Sequence, residues 1–248
     1  MICYAIFYSL NISIIFEQLF DIKSSTYTYV ISSGKGREAL VIDPVIENTD
    51  KYIKILTNLD LKLVKVIDTH IHADHISGLN ELNKRTKCSK IMGEKSSSEV
   101  LDIRVKDNEK IKIENIELIS MHTPGHTDCS YSFLMNDRVF TGDTLLINGT
   151  GRTDFQNGNV LDQYESIFKK LLKLPEKTLV YPAHDYNGNK YSTIRDEKNN
   201  NPRLQVTSAE EYAELMNNLK LENPEMMDIA VSANKKGLTL DKLNLNKL

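Results

Sequence analysis

Cysteine is scarce in this sequence of 248 residues. Its three cysteines are Cys3, Cys88 and Cys129, and no two of them have the spacing of a zinc-binding pair. A sparse, odd-numbered set argues against a disulfide framework and is typical of proteins in reducing compartments. We therefore expect a cytoplasmic protein, or one of the mitochondrial matrix if its source is eukaryotic.

An excess of basic residues is also missing. Lysine and arginine number 31 against 34 acidic residues, which gives a net charge of −3, and they are scattered along the chain. Without a basic stripe, the sequence argues against a nucleic-acid partner. A small acidic substrate remains compatible with this balance, because one or two arginines are enough to hold a carboxylate.

Long apolar runs are absent as well, although residues 1–16 carry no charged side chain. This stretch is too short to cross a bilayer comfortably and lacks the basic start of a signal peptide, so no membrane partner is expected. We interpret residues 1–15 as an apolar lead-in to a first strand; a weak membrane or targeting signal is the alternative. Because no linker, repeat or low-complexity tract follows, residues 16–248 are predicted to form a single domain with a helical C-terminal tail.

Short runs of β-branched and aromatic residues predict nine strands. These strands are 16–20, 26–31, 39–42, 63–67, Lys110–Ile113, 116–120, 130–134, 139–141 and 178–183. Apolar residues at helical spacing and helix-start signals predict helices over 49–59, 76–83, 162–172 and 208–219. The last two begin with capping-box patterns, Asp162-x-x-Glu165 and Ser208-x-x-Glu211.

Histidine or aspartate side chains follow the apolar strands at four places. His70 comes after the strand 63–67, His126 after 116–120, Asp143 after 139–141 and His184 after 178–183. Loops at the ends of core strands allow a rigid scaffold to aim polar groups into one cleft. We therefore expect these four side chains to meet in a cleft.

The first of these places holds a dense cluster, Thr69-His70-Ile71-His72-Ala73-Asp74-His75. In an extended stretch His70 and His72 lie on the same side, because side chains alternate along a strand. Imidazole and carboxylate together suit zinc, iron or manganese. A solvated polar loop is the alternative interpretation, but four ligand-type residues after a buried strand favour a metal site.

The pattern His-x-His-x-Asp-His resembles the signature of the metallo-β-lactamase superfold, and the rest of that signature follows in order. It continues as Thr123-Pro124-Gly125-His126, Gly142-Asp143 and Pro182-Ala183-His184. The resemblance implies an α/β (α+β) fold, a four-layer αββα sandwich with its metal site at one edge of the two sheets. The dinuclear hydrolases of the superfold use seven ligands, and all seven positions are occupied here. They are His70, His72, Asp74, His75, His126, Asp143 and His184.

Ligand types alone therefore favour two Zn(II) ions per chain and hydrolysis by a metal-activated water. The sequence around the ligands, however, resembles the persulfide dioxygenases, also called sulfur dioxygenases. This resemblance is carried by residues 145–158, which contain Gly151-Arg152-Thr153-Asp154-Phe155-Gln156, and by 181–186, 201–204 and 227–231. It extends over nearly the whole chain apart from the N-terminal lead-in.

In the persulfide dioxygenases one Fe(II) ion per chain is held by two histidines and one aspartate, which correspond here to His70, His126 and Asp143. Such a facial triad leaves open positions for substrate and oxygen. The resemblance implies that glutathione persulfide, O2 and water react to give sulfite and glutathione. These three residues are then both the metal ligands and the catalytic centre.

The remaining polar residues take supporting roles under this resemblance. Four of them surround the triad as hydrogen-bonding partners or, in the hydrolase interpretation, hold a second metal ion: His72, Asp74, His75 and His184. Three more are candidates for binding glutathione: Arg152, Tyr186 and Arg203. Two positions depart from the family pattern, since Cys129 replaces a glycine and Thr150 replaces a cysteine; we interpret Thr150 as a packing variation.

Two other functions stay open at this stage. Hydroxyacylglutathione hydrolase (glyoxalase II) shares the sandwich, the metal motif and glutathione, but it normally carries a longer helical C-terminal domain. A metal-binding interaction module without activity is disfavoured by the complete set of ligands. An exposed sheet edge or the apolar N-terminal strand offers a surface for a homodimer.

Overall fold

Runs of β-branched and aromatic residues form the strands of a first sheet in the computed structural model of the chain, which describes residues 14–222 and 226–243. The strands are β1 (Ile15–Asp21), β2 (Thr26–Ser32), β3 (Glu38–Ile42), β4 (Lys62–Ile67), β5 (Ser89–Gly93) and β6 (Ile103–Val105). They lie in this order across the sheet. The first three are antiparallel, whereas β3, β4, β5 and β6 are parallel, so β3 and β4 end at the same edge.

The second sheet is built from the later strands. They are β7 (Lys110–Ile113), β8 (Ile116–His122), β9 (Tyr131–Met135), β10 (Arg138–Gly142), β13 (Leu179–Pro182) and β14 (Ser192–Thr193). Their order is β14-β13-β10-β9-β8-β7, and β10 and β13 are its parallel pair. Between them in sequence, β11 (Leu145–Leu146) and β12 (Gly149–Thr150) pair as a small separate hairpin.

Six α-helices are present among the described residues. They are α1 (Thr49–Asn58), α2 (Leu79–Thr86), α3 (Val160–Tyr164), α4 (Ile194–Asn200), α5 (Ala209–Asn217) and α6 (Met227–Lys236). A π-helical segment, Glu165–Lys170, and a 3-10 turn, Leu171–Lys173, continue α3, and a 3-10 turn, Pro202–Leu204, follows α4. No helix within 14–222 or 226–243 is long and apolar enough to span a bilayer.

Three apolar cores separate four layers. Side chains such as Tyr29 and Phe133 fill the space between the two sheets. The outer face of the first sheet packs on α1 and α2 through residues that include Tyr52, and the outer face of the second sheet packs on α3, α4 and α5 through residues that include Tyr212. Burial of each such side chain contributes roughly 1.5–3 kcal/mol. The expected αββα sandwich is confirmed.

Several predicted elements differ from the structure. The prediction of a helix over 76–83 was wrong at its start, because α2 begins at Leu79 after Gly78. The capping box at Asp162 was also wrong: Asn159 caps α3, and its side chain accepts hydrogen bonds from the N–H groups of Leu161 and Asp162. The cap at Ser208 is confirmed, since its hydroxyl accepts the N–H of Glu211 at 3.2 Å. Strands β5, β6 and β14 and helix α4 were not predicted.

The predicted N-terminal lead-in can be compared with the structure only in part. Residues 1–13 lie outside the described residues. Ile15, the last residue of the predicted lead-in, already belongs to β1. The division of the chain into a lead-in and one domain with a helical tail stays a prediction.

The two sheets meet at the edge where β3, β4, β10 and β13 end. The Tyr27 N–H donates to the Ala183 carbonyl at 2.7 Å, and the Tyr131 N–H donates to the Thr69 carbonyl at 2.9 Å. A bridge between Thr26 and His184 closes the edge further. The strand ends of both sheets are thereby brought to one place.

Candidate metal centre

Three of the predicted ligands form a compact group at this edge. His70 follows β4, Asp143 follows β10, and His126 lies in the loop between β8 and β9. The Nε2 atoms of His70 and His126 lie 3.9 Å and 3.6 Å from Oδ2 of Asp143. One nitrogen or oxygen atom from each residue lies within 4.8 Å of the others. We call His70, His126 and Asp143 the triad.

Both imidazoles of the triad are oriented by neighbours on their far sides. His126 donates through Nδ1 to the Arg152 carbonyl at 2.8 Å, which leaves Nε2, 3.6 Å from Asp143 Oδ2, with a free lone pair. His70 Nδ1 lies 3.0 Å from the Thr69 hydroxyl, which in turn donates to Asp43 at 3.0 Å. Such contacts fix the tautomer and the ring orientation of a metal-ligating histidine.

The other four candidates form a second group beside the triad. Asp74 lies at its centre: Oδ2 is 2.7 Å from Nδ1 of His75 and 3.3 Å from Nε2 of His184, and Oδ1 is 3.9 Å from Nδ1 of His72. His184 also approaches the triad, with its Nε2 3.7 Å from Oδ2 of Asp143. We call His72, Asp74, His75 and His184 the quartet. All seven residues singled out from the sequence are therefore brought together.

Three polar atoms in these groups are buried without any hydrogen-bond partner. They are Nδ1 of His72, Nε2 of His75 and Oδ1 of Asp143. A buried polar atom without a partner costs about 1–3 kcal/mol, so natural proteins rarely leave one unexplained. Because all three are typical metal donors within one cluster, the residues fit a bound metal ion.

Burial and neighbouring charges shift the pKa values of several residues in these groups. Burial, together with the neighbouring His72, keeps the pKa of His70 well below its usual range, so His70 presents a neutral imidazole. Burial alone would also lower the pKa of His184, but the carboxylates of Asp143 and Asp74 raise it to about 10. Burial would raise the pKa of Asp74, but His184 and His75 hold it well below its usual range. Burial also keeps the pKa of His72 well below its usual range, so within the quartet the positive charge lies on the side of His184.

Asp43 is a residue of the centre that the sequence reasoning missed. Its carboxylate is buried between the groups and accepts hydrogen bonds from the Thr69 N–H at 2.7 Å and from Nε2 of His72 at 3.2 Å. Asp43 directly follows β3, so the pattern of an aspartate after an apolar strand could have found it. Burial raises its pKa to about 6.

Asn234 on α6 also contributes and was missed. Its Nδ2 group donates to the carbonyls of His72 and His75, both at 2.9 Å, and its Oδ1 accepts the N–H of Ser77 at 2.8 Å. One amide from the C-terminal helix therefore fixes the irregular loop that carries the quartet's first three residues. No local sequence signal marks a helical asparagine for this role.

A cavity of about 620 Å³ opens in front of the metal centre. It is lined by residues of both groups and by the three residues predicted to bind glutathione, Arg152, Tyr186 and Arg203. The structure thus places these three side chains in the same cavity as the ligand groups. A volume of this size suits a ligand as large as a tripeptide.

The three cavity residues differ in what they already contact. The Arg152 guanidinium makes a bidentate pair with Asp154, each contact at 2.7 Å, and stacks on Phe155 at 3.9 Å. Arg203 donates from Nη1 to the Thr150 carbonyl and, at 3.2 Å, to the Thr150 hydroxyl. Thr150 is therefore a hydrogen-bonding residue rather than the packing variation expected.

Tyr186 is largely exposed at the entrance of the cavity. Its ring is parallel to that of His184, with the centroids 6.1 Å apart.

Cys129, the other departure from the family pattern, is buried, and its thiol lies 3.4 Å from the Thr127 hydroxyl. His126 makes its hydrogen bond to the Arg152 carbonyl with cysteine at this position.

Comparisons with known proteins identify the family of this chain. Residues 22–184 match the model of the Metallo-beta-lactamase superfamily. The mouse protein "Persulfide dioxygenase ETHE1, mitochondrial" is 40% identical over 224 residues, which cover 89% of this chain and 87% of the mouse protein. The crystal structure of ETHE1 from Myxococcus xanthus superposes with a TM-score of 0.87 at 45% identity and covers 89% of this chain and 98% of that one. This chain belongs to the persulfide dioxygenase family.

The hydrolase relatives of this family member are more distant. Hydroxyacylglutathione hydrolase from Dictyostelium discoideum is 31% identical over 175 residues, which cover 66% of this chain and 64% of that protein. Family and fold are therefore as the sequence predicted. The ligand groups in a metallo-beta-lactamase fold, together with the family, also indicate that the protein carries a metal cofactor.

Proposed function

We propose that this family member oxidises glutathione persulfide with O2 and water to sulfite and glutathione, and that one Fe(II) ion per chain is held by His70, His126 and Asp143. The observation that carries the proposal is that two imidazoles and one carboxylate offer ligand atoms within 4.8 Å of one another, beside a cavity lined by Arg152 and Arg203. The family relationship supports the same reaction. We further propose that the identity of the metal is set by the triad.

The donor set fits this ion. Two imidazoles and one carboxylate form the facial arrangement that non-haem iron enzymes use, with positions left for other ligands. A bound Fe(II) ion supplies a centre at which O2 and the terminal persulfide sulfur are activated together. The chain's contribution is to hold the three ligands: Arg152 through its carbonyl and Thr69 through its hydroxyl orient the imidazoles.

We assign the cavity residues to the glutathione part of the substrate. Arg152 already holds a carboxylate in bidentate fashion, that of Asp154, and a substrate carboxylate can take the place of this exposed partner. Arg203 is fixed at one nitrogen by Thr150 and lines the cavity with the rest of its guanidinium. Tyr186 offers a ring and a hydroxyl at the entrance.

We assign the quartet to positioning. His184 and Asp74 form an ion pair beside Asp143, which limits the directions in which the Asp143 carboxylate can turn. His72 is held by Asp43 and packs on His70, with the ring centroids 4.2 Å apart. These contacts keep the triad in one geometry, as the hydrogen-bonding surroundings of metal ligands generally do.

A second candidate function is a dinuclear zinc thioesterase of the hydroxyacylglutathione hydrolase type. The observation in its favour is that the quartet also offers four donor atoms within 4.8 Å of one another. Two Zn(II) ions per chain and a metal-activated water would then act on a glutathione thioester. The weaker similarity to the hydrolases argues against it.

The homodimer and the location in the cytoplasm or the mitochondrial matrix stay predictions.

The test is metal counting combined with two assays. The chain is purified without oxygen, its metals are counted, and oxygen uptake with glutathione persulfide is compared with hydrolysis of a glutathione thioester. We expect one iron per chain and oxygen uptake that requires the persulfide. Two zinc ions per chain, thioester hydrolysis and no oxygen uptake would establish the hydrolase instead.

A further inference from the structure

The segment 148–152 follows Asp143 along the chain and ends at Arg152. It is held by side chains of the outer helical layer. Successive backbone groups of this segment each bond to a different side chain. The pairs are the Asn148 N–H with Glu197 at 3.0 Å, the Gly149 carbonyl with Asn201 at 2.9 Å, the Thr150 carbonyl with Arg203, and the Gly151 carbonyl with Gln163 at 3.0 Å. Strands β11 and β12 have only two residues each, so their own ladder fixes little of this path. The helices supply the constraint instead.

Gln163 is the member of this set that bonds to Gly151 and also packs beside Gly125, which precedes His126. Its side chain is fully buried; Nε2 donates to the Gly151 carbonyl, and Oε1 accepts the Tyr212 hydroxyl at 2.8 Å. Because each end of the amide has a partner of the opposite kind, only one orientation satisfies both bonds. Tyr212 itself is buried in the core between α3 and α5, so the amide is anchored to the helical layer.

Gln163 also packs tightly against the residue that precedes His126. A Cβ atom added to Gly125 would lie 2.2 Å from Cβ of Gln163, and Gly125 has a φ of +138°. Glycine is therefore required at this position both by space and by backbone conformation. The Gln163 residue thus touches the chain on the approach to His126 as well as the Gly151 carbonyl.

Gly151 carries this restraint to two members of the triad. Its N–H donates to the Asp143 carbonyl at 2.8 Å, and a Cβ atom on it would lie 2.9 Å from the His126 ring. The next carbonyl, that of Arg152, accepts the Nδ1 proton of His126. The Gly151–Arg152 peptide and the backbone of Arg152 that follows it therefore connect the buried amide to the carbonyl that orients His126. The same backbone sets the point from which the Arg152 side chain enters the cavity.

We propose that Gln163 is a positioning residue that fixes the His126 imidazole and the Arg152 side chain together through the Gly151–Arg152 peptide. The proposal rests on the function proposed above, in which His126 holds the metal and Arg152 holds the glutathione portion of the substrate. Loss of the amide frees the Gly151 carbonyl and lets both groups move. A single substitution far from solvent should then weaken metal binding and glutathione binding at once.

The test uses the metal-free chain with Co(II), and the metal-loaded chain with glutathione. Gln163→Met keeps the length of the side chain and removes both hydrogen bonds; Tyr212→Phe removes only the hydroxyl. We expect Gln163→Met to weaken Co(II) binding by several-fold to about tenfold, the lower end of the effect of losing a direct partner of a metal ligand, because Gln163 acts through the backbone; glutathione binding should weaken as well. Tyr212→Phe should show a smaller loss of both affinities.

Asn83→Leu is the matched control, because Asn83 on α2 likewise donates an amide N–H to a carbonyl, that of Cys88, in the other helical layer. It should lower the melting temperature while leaving both affinities unchanged. The proposal is overturned if Gln163→Met, or Tyr212→Phe where the former does not fold, lowers the melting temperature and leaves both affinities at wild-type values. Neither affinity depends on turnover, so a wild-type chain without persulfide oxidation would refute the proposed reaction and leave this test intact.

Discussion

The triad and the quartet lie side by side but differ in what their atoms already bind. The imidazoles of the triad are held by a carbonyl and a hydroxyl, and the Asp143 carboxylate stays 3.6 Å or more from each of them. In the quartet, Asp74 makes contacts of 2.7 Å and 3.3 Å with His75 and His184. Asp74 is therefore paired within the quartet, although Nδ1 of His72 and Nε2 of His75 have no hydrogen-bond partner. In the triad, the unpaired atom is Oδ1 of Asp143. Residues of the same ligand type thus differ in their contacts because their neighbours differ.

The largest expected difference is between two single variants, one that removes a carboxylate from the triad and one that removes an imidazole from the quartet. Asp143→Ala should abolish iron binding and reduce persulfide-dependent oxygen uptake by at least on the order of 10³-fold, since ligands act as a unit. His184→Ala should keep close to one iron per chain while activity falls by roughly 10–100-fold. Metal counting and oxygen uptake are measured on both variants. Equal loss of metal in both would show that the two groups form one dinuclear site.

A smaller but still large effect is expected where the chain packs against the triad. In Gly151→Ala the new Cβ atom would lie 2.1 Å from the Asp143 carbonyl oxygen, so the backbone must shift. We expect a loss of about 1–3 kcal/mol in the free energy of unfolding together with a loss of iron. Denaturant unfolding measures the free energy of unfolding, and metal counting measures the iron content.

Gly149→Ala is the control for this substitution, because the nearest atoms to its new Cβ lie 3.9 Å and 4.0 Å away. It should leave both the free energy of unfolding and the iron content close to wild type. If both alanine variants keep their iron, close packing of Gly151 does not hold the triad.

The smallest effect is expected at the loop that carries the quartet. Asn234→Asp keeps the acceptor for Ser77 and removes the two hydrogen bonds donated to His72 and His75. The free energy of unfolding should fall by about 1–3 kcal/mol and the turnover number by about tenfold, with iron content retained. Ser232→Ala, at an exposed position of the same helix, is the control. Loss of iron in Asn234→Asp would mean that the quartet loop also determines metal occupancy.

Residue chemistry and strand patterns predicted much of the centre. His70 and its neighbours follow a buried strand, and the chain places them at the expected edge of the sandwich. Asp43 was within reach of the same pattern, since it follows β3. These residues could be found because strand ends of a layered fold converge, which is a property of local sequence and simple geometry.

The supporting side chains were beyond such reasoning. Gln163 and Asn234 lie on helices, and their partners lie outside those helices: Gly151 and Tyr212 for Gln163, and the loop 72–77 for Asn234. The sequence around a helical asparagine or glutamine does not indicate which carbonyl outside the helix its amide will bond. Strands β5 and β6 were missed for a related reason: they are short, and they are completed by parallel pairing with neighbours rather than by a hairpin.

The triad takes His70 from the first sheet and His126 and Asp143 from the second, so its members meet only when the sandwich has closed. A cation bound there is bound by the native state and not by the separate sheets. Metal binding and closure of the two halves are consequently linked. A bound metal ion raises the free energy of unfolding, and closure of the sandwich raises the affinity for the metal. A metal ion held by the proposed ligands would therefore also stabilise the contact between the two halves of the molecule.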